Sequence, residues 1–412
     1  MMRIEPAVLL FLALAAGGSA APQEHWVATW AASPSPQMGD EAKMRAEKLQ
    51  FQNQTVREIV HTSVGGNMVR VRLSNAYGKA TVEIDAAHIA ARSRDSEIVA
   101  GSDRVLTFSG RAGVSIPPDA LVLSDPVKLD AHAASDLAIS LFVSKASTGA
   151  GIHYSAQQTS YIGEGDRTGA TSLSGAETIT SWVFLTGVDV LAPGSAETVV
   201  AFGDSITDGA RSTVDANRRW PNILADRLLA QHGRQEVAVV DAGIGGNRIL
   251  HDAATNVQFG VNALARFDRD VLAQPGVRYV IVLEGINDIG HAGTSAPDSE
   301  TVSAEEIIAG LKQMVERAHE QGLKIFGGTL TPFAGTVFPG YYTAEKDVKR
   351  KAVNEWIRTS KAFDGVVDFD QAIRDPSDPD RMLAAYDGGD HLHPGDAGYK
   401  AMADAIELSL FH

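Results

Sequence analysis

Four stretches of this chain carry side chains that could act together on an ester or another acyl group. Ser205, in Gly203-Asp204-Ser205-Ile206, places a hydroxyl where an apolar run from Thr198 to Phe202 breaks into a polar turn. A serine just past the carboxyl end of a buried strand stands where open α/β sheets present reactive groups. Asp390 and His393 are three residues apart in Asp390-His391-Leu392-His393-Pro394. A histidine can take and return a proton near neutral pH, and a carboxylate can fix its tautomer and stabilise its cation. The same stretch also reads as a polar surface loop, or as a metal site from Asp390, His391 and His393 that lacks a further ligand cluster.

Two more stretches could supply hydrogen-bond donors. Asn287, in Glu284-Gly285-Ile286-Asn287-Asp288, can aim a side-chain N–H at an oxyanion, or can simply cap a turn. One such donor is worth about 3 kcal/mol in a transition state. The run Gly243-Ile244-Gly245-Gly246-Asn247-Arg248 lets backbone approach a ligand with no Cβ in the way, or makes a plain tight turn. Together the four stretches hold a nucleophile, a backbone donor, a side-chain donor, a base and an orienting acid, which is the set acyl transfer requires.

These residues need a scaffold, and apolar patterning supplies one. Strands are expected over 236–240, 279–283, 324–327 and 365–369, and helices over 220–232, 304–321, 344–363 and 397–410, with Pro394 opening the last. Alternation of this kind predicts a parallel sheet flanked by helices. Ahead of it, residues 26–190 read as β-rich. Met68 to Leu73 and Thr81 to Asp85 alternate, Leu137 to Val143 is strongly apolar, and turn residues punctuate the runs. Many short strands with regular turns predict an all-β sandwich or jelly roll. The only helix expected there lies near Glu41 to Lys48. Leu191-Ala192-Pro193-Gly194-Ser195-Ala196 reads as a linker, dividing a β-domain (21–192) from an α/β domain (193–412).

Composition narrows the functional classes. The 412 residues carry a formal charge of -15, with no basic stripe for phosphates, so no nucleic-acid partner is expected. Residues 1–20 read as a signal peptide: Arg3, an apolar run from Ala7 to Ala16, then small residues. A secreted or periplasmic protein with no stable membrane insertion is expected. The chain has no cysteine, which excludes thiol nucleophiles and thiolate metal sites and leaves stability to the core.

The four stretches resemble the conserved blocks of the SGNH subgroup of GDSL esterases and lipases, with Ile206 where that family's leucine usually stands. The resemblance covers roughly Val199 to the C-terminus. It implies Ser205 as nucleophile, His393 as base and Asp390 as its partner, with an oxyanion hole from Ser205, Asn287 and Gly246, the neighbouring Gly245 being the alternative. It implies no cofactor and no metal. Trp26 to Pro34 and Val69 to Asn75 resemble exported bacterial members that carry a β-domain ahead of the hydrolase. The expected activity is hydrolysis of carboxylic esters, with short acyl (acetyl) groups on a small molecule or carbohydrate foremost. Lysophospholipids, short-chain lipids and aryl esters are the alternatives, and a carbohydrate-binding protein is the non-enzymatic one. Arg248 is a candidate substrate contact, through a carboxylate or a sugar hydroxyl.

Overall fold

The computed structural model describes residues 24–412. The signal peptide expected over 1–20 lies outside the described residues.

The N-terminal part is a sandwich of two antiparallel sheets. One is five-stranded and runs Trp26–Ala31, Leu185–Leu191, Gly66–Ser74, Leu121–Leu123, with Val127–Ala131 also paired to Gly66–Ser74. The other is seven-stranded and centred on Gln54–His61, Asp136–Val143 and Ala86–Arg94. Val56, Val60 and Ile139 from the second sheet share one core with Val69, Val71 and Val188 from the first. A short helix, Glu41–Ala46, falls where one was expected, and Asp40 caps its N–H groups.

Alternation along Met68 to Leu73 suggested a strand with one solvated face. Arg72 corrects this. It is buried, 3.2 Å from Asp189, and its guanidinium donates to Gln274 at 2.7 Å. Gln274 belongs to the α/β part, so the outer face of this strand is covered by the rest of the chain. Ala28 N–H donates to Pro275 O at 3.0 Å across the same boundary.

The α/β part is built on a five-stranded parallel sheet in the order Val237–Gly243, Glu197–Gly203, Val277–Leu283, Lys324–Gly328, Gly365–Val367. These strands are apolar along nearly their whole length because both faces are covered. Helices Trp220–Ala230 and Asp396–Asp404 pack on each other, as do Ala304–Glu320 and Ala344–Thr359. The strand that comes first in sequence lies between the second and the third. The crevice beyond the carboxyl ends of the strands therefore opens at a reversal of strand order, the place where ligands bind in open α/β sheets.

The final helix departs from expectation. It begins at Asp396 with Gly395 as its N-cap, so Pro394 precedes the helix rather than opening it. Pro394 instead bridges to Asp387, while Gly395 N–H donates to Tyr386 O. The helix ends at Asp404, and a separate 3-10 turn forms at Leu408–Leu410. The apolar stripe read through to Leu410 thus spans two elements that face the same core. Helix Ala344–Thr359 also stops early, because Lys361 takes a positive φ of 59°. Among the described residues no helix is long and apolar enough to cross a membrane.

Candidate active site

Ser205 stands directly beyond the first parallel strand, at the start of a single helical turn, Ser205–Asp208. Asp204 caps that turn, accepting from Ile206 N–H at 2.9 Å. Burial, together with neighbouring Asp288 and Asp208, pushes the Asp204 carboxyl up to about 7 against the pull of Ile206 N–H and Arg266.

Ser205 Oγ lies 2.8 Å from His393 Nε2, and His393 Nδ1 lies 2.9 Å from Asp390 Oδ2. Asp390 is almost wholly buried. Burial acts to raise its carboxyl, but the His393 ring, the His393 N–H and Arg211 outweigh it and hold Asp390 well below the usual carboxylate range. An ionised carboxylate only accepts, so the His393 proton sits on Nδ1. Nε2 is left with a lone pair facing the serine hydroxyl. That chain can draw a proton from Ser205 while stabilising the imidazolium that forms.

Asp390 is held on every side. Its Oδ1 accepts from His393 N–H at 2.8 Å and Leu392 N–H at 3.1 Å, and its Oδ2 accepts from Arg211 Nε at 2.8 Å. His391 turns away, and its Nδ1 meets Asp387. Neither Arg211 nor Asp387 was singled out from the sequence as a neighbour of this pair.

The donors come from the second and third strands. Gly246 has φ +78°, and a Cβ there would overlap the Phe259 ring, so only glycine fits. The Gly245 N–H is committed to Asp208 Oδ2 at 3.1 Å. Among the described residues no protein acceptor takes the N–H of Gly246 or of Ser205. Asn287 lies in the short helix after the third strand, Ile286–Gly290. Its Nδ2 donates once to Asn247 O at 2.9 Å, and its Oδ1 accepts from Tyr341 OH at 2.7 Å. An amide NH2 has two hydrogens, so one remains for a ligand, and Asn247 O and Tyr341 together fix which way the amide faces. Asp288 caps no following segment. It binds back to Ile249 and Leu250 N–H at 2.7 and 3.0 Å and anchors the chain after the glycine run.

Arg266, fully buried, ties the strand ends together. It donates to Gly203 O and Ala242 O and meets Glu284 at 3.3 Å, so it touches the end of each of the three strands that carry the site. Its sequence neighbourhood, a short helix, gave no sign of this.

Ser205, Gly246, Asn287 and His393 all line one cleft of about 400 Å³, with Phe259, His291, Phe338, Tyr341 and Leu392 as further walls. The surface of the cleft is mostly apolar. Burial, with Arg248 and Lys346 nearby, lowers His291 to about 4, so this wall is uncharged at neutral pH. Arg248 is a correction. Its guanidinium is buried, 2.7 Å from Glu300 and bonded to Asp252 O, and it does not line the cleft. The sequence showed a free cation beside a glycine loop and could not show that Glu300, 52 residues on, neutralises it.

A hydroxyl–imidazole–carboxylate chain at the switch point of a parallel α/β sheet defines the class: a hydrolase fold equipped for acyl transfer. Residues 201–401 match the GDSL-like lipase/acylhydrolase family, and this part of the chain belongs to it, a family of carboxylic ester hydrolases. Among proteins of curated function none matches the chain. Solved structures similar to it include a putative lipolytic protein of the G-D-S-L family from Desulfitobacterium hafniense, 24% identical, covering 50% of this chain and 96% of that one with a TM-score of 0.38. Also similar are a putative arylesterase from Agrobacterium tumefaciens (20%, covering 52% and 98%, TM-score 0.39) and a carbohydrate acetylesterase from Sinorhizobium meliloti (17%, covering 51% and 96%, TM-score 0.39).

Proposed function

We propose that the chain is an exported serine esterase that cleaves small carboxylic esters through an acyl-enzyme. Ser205 attacks the ester carbonyl as His393 Nε2 takes its proton, and Asp390 holds the imidazole in the required tautomer. The N–H groups of Ser205 and Gly246 and the free N–H of Asn287 receive the negative charge that develops on the carbonyl oxygen. His393 then protonates the leaving alcohol and activates the water that releases the acid. This chemistry calls for no metal or cofactor. Residues 1–20 act as the leader, 21–192 as the accessory β-domain and 193–412 as the hydrolase.

The observation that carries this reading is the 2.8 Å approach of Ser205 Oγ to His393 Nε2 at the wall of a cleft that also receives Gly246 and Asn287. Ser205→Ala and His393→Ala should each abolish p-nitrophenyl acetate hydrolysis with the fold intact. Wild-type turnover by either variant would end the proposal.

The size of the cleft supports a short acyl group. Its apolar walls favour an aryl or small alkyl alcohol as the second reading, ahead of a polyhydroxylated sugar, whose hydroxyls would find few partners there. A panel of aryl acetates, aryl octanoates, lysophospholipids and acetylated polysaccharides separates these readings. The apolar walls lead us to expect the aryl acetate to give the highest kcat/KM.

A further inference from the structure

The β-sandwich places one ionisable side chain against the catalytic loops. His153 is buried, and its backbone is fixed within the sandwich by reciprocal bonds to Trp182 at 2.9 and 3.0 Å. Its ring crosses into the α/β part. Nε2 lies 2.9 Å from Asp208 Oδ1, and Nδ1 lies 3.0 Å from Ser33 O. Both partners are acceptors, so both ring nitrogens carry a proton and the ring is an imidazolium. Burial works against that charge, but Asp208 and Ser33 O outweigh it and raise His153 above its ordinary value despite Arg219 nearby.

Asp208 ends the helical turn that begins with Ser205. Its second oxygen, Oδ2, accepts the Gly245 N–H at 3.1 Å. Its carbonyl accepts from Arg219 Nε at 2.7 Å, and the same guanidinium bonds to Ala156 O of the sandwich. Residues His153, Tyr154 and Ser155 share the lining of a small cavity with Gly245. A continuous buried chain therefore runs from the sandwich through His153 and Asp208 to the amide next to Gly246.

We propose that His153 is a positioning residue of the hydrolase: it clamps Asp208, and Asp208 holds the Gly245 amide so that the Gly246 N–H faces the ester oxygen. The β-domain is then part of the oxyanion hole's support rather than an appended module. This rests on the esterase reading above, because only an oxyanion makes the aim of the Gly246 N–H matter.

The test uses the full chain with p-nitrophenyl acetate, alongside wild type and Ser205→Ala. His153→Ala and Asp208→Ala should each lower kcat at least about tenfold with KM within about twofold, since the lost interaction matters in the transition state. The double variant should lose no more than the worse single variant, because the two residues act in series. Asp208→Asn should keep kcat within about threefold of wild type: its oxygen still accepts from Gly245, and its NH2 donates to a neutral His153. Where an alanine variant fails to fold by circular dichroism, His153→Gln fills the space without the charge. It should still lower kcat at constant KM, because a flexible amide no longer fixes Asp208 Oδ1 against Ser33 O as the rigid ring does.

A folded His153→Ala or His153→Gln with wild-type kcat overturns the proposal. So does a loss confined to KM, a multiplicative loss in the double variant, or an Asp208→Asn variant as impaired as Asp208→Ala. Activity persisting in Ser205→Ala would instead sink the esterase reading itself, so the two failures are distinguishable.

Discussion

Tyr341→Phe isolates the orientation of Asn287 from its presence. The Tyr341 hydroxyl donates to Asn287 Oδ1 at 2.7 Å, and both side chains are buried. Burial, with Asp204, Asp288 and Glu284 nearby, raises the phenol well above its ordinary value, so it remains a donor throughout the working pH range. Removing the hydroxyl leaves a buried carbonyl oxygen without its partner, which costs about 1–3 kcal/mol of stability. The amide keeps its bond to Asn247 O, which still tells its nitrogen from its oxygen, but loses the second contact that holds its plane and aims its free N–H. A fully lost oxyanion donor is worth about 3 kcal/mol, so a donor aimed poorly enough to lose about half of that should cost about 1.4 kcal/mol, or tenfold in kcat. Because Tyr341 also lines the cleft, kcat and KM must be measured separately on p-nitrophenyl acetate, with unfolding followed in urea. A fall confined to KM, or a kcat within about twofold of wild type at unchanged stability, would refute this role for Tyr341.

Further expectations follow from the same geometry. Gly246→Ala should lower kcat at least about a hundredfold, because its Cβ would strike Phe259 and the residue cannot hold φ +78° cheaply; steady-state kinetics on a folded variant checks this. Arg211→Gln should lower kcat by less than about tenfold, because the arginine is half exposed and Asp390 keeps its bonds to His393 and Leu392; salt titration of the wild type should mimic part of the effect. Burial first, and Asp208 with it, raises Asp241 from 3.8 to about 7 despite Arg219, so the folded state binds a proton that the unfolded chain has released. Stability should therefore fall as pH rises from about 4 to about 7, by as much as about 4 kcal/mol from this group. Asp241→Asn should flatten that slope in urea unfolding measured at pH 5 and pH 8, and an unchanged slope would contradict the assignment.

The sequence carried the fold wherever burial leaves a period. The parallel strands are apolar runs because helices cover both faces, and the helix at Ala304–Glu320 is a clean amphipathic stripe with Ser303 and Glu306 forming its capping box. Boundaries were less legible. A stripe that pauses between Asp404 and Leu408 looks continuous in one dimension, and a left-handed residue at Lys361 has no signature. The covered face of Gly66–Ser74 was hidden for another reason: Arg72 reads as solvated until Asp189 and Gln274 appear beside it.

The site was legible to the extent that its groups cluster in short runs after strands. The structure brings Ser205, Gly246, Asn287, Asp390 and His393 to one cleft or its wall, as those runs suggested. What supports them was invisible. Tyr341 reaches Asn287 across 54 residues, Arg211 reaches Asp390 across 179, and His153 reaches Asp208 across 55. Contacts of that kind have no spacing to read, only a fold to bring them about. Arg248 failed for the converse reason: a cation that looks free in sequence is neutralised in space.

The nucleophile can be tested directly by mass. A p-nitrophenyl alkylphosphonate incubated with the full chain should release one p-nitrophenolate per protein and leave a single adduct on the peptide that contains Ser205. Activity should fall in step with labelling, and Ser205→Ala should remain unlabelled. Complete inactivation with Ser205 unmodified, or an adduct on another residue, would contradict the account.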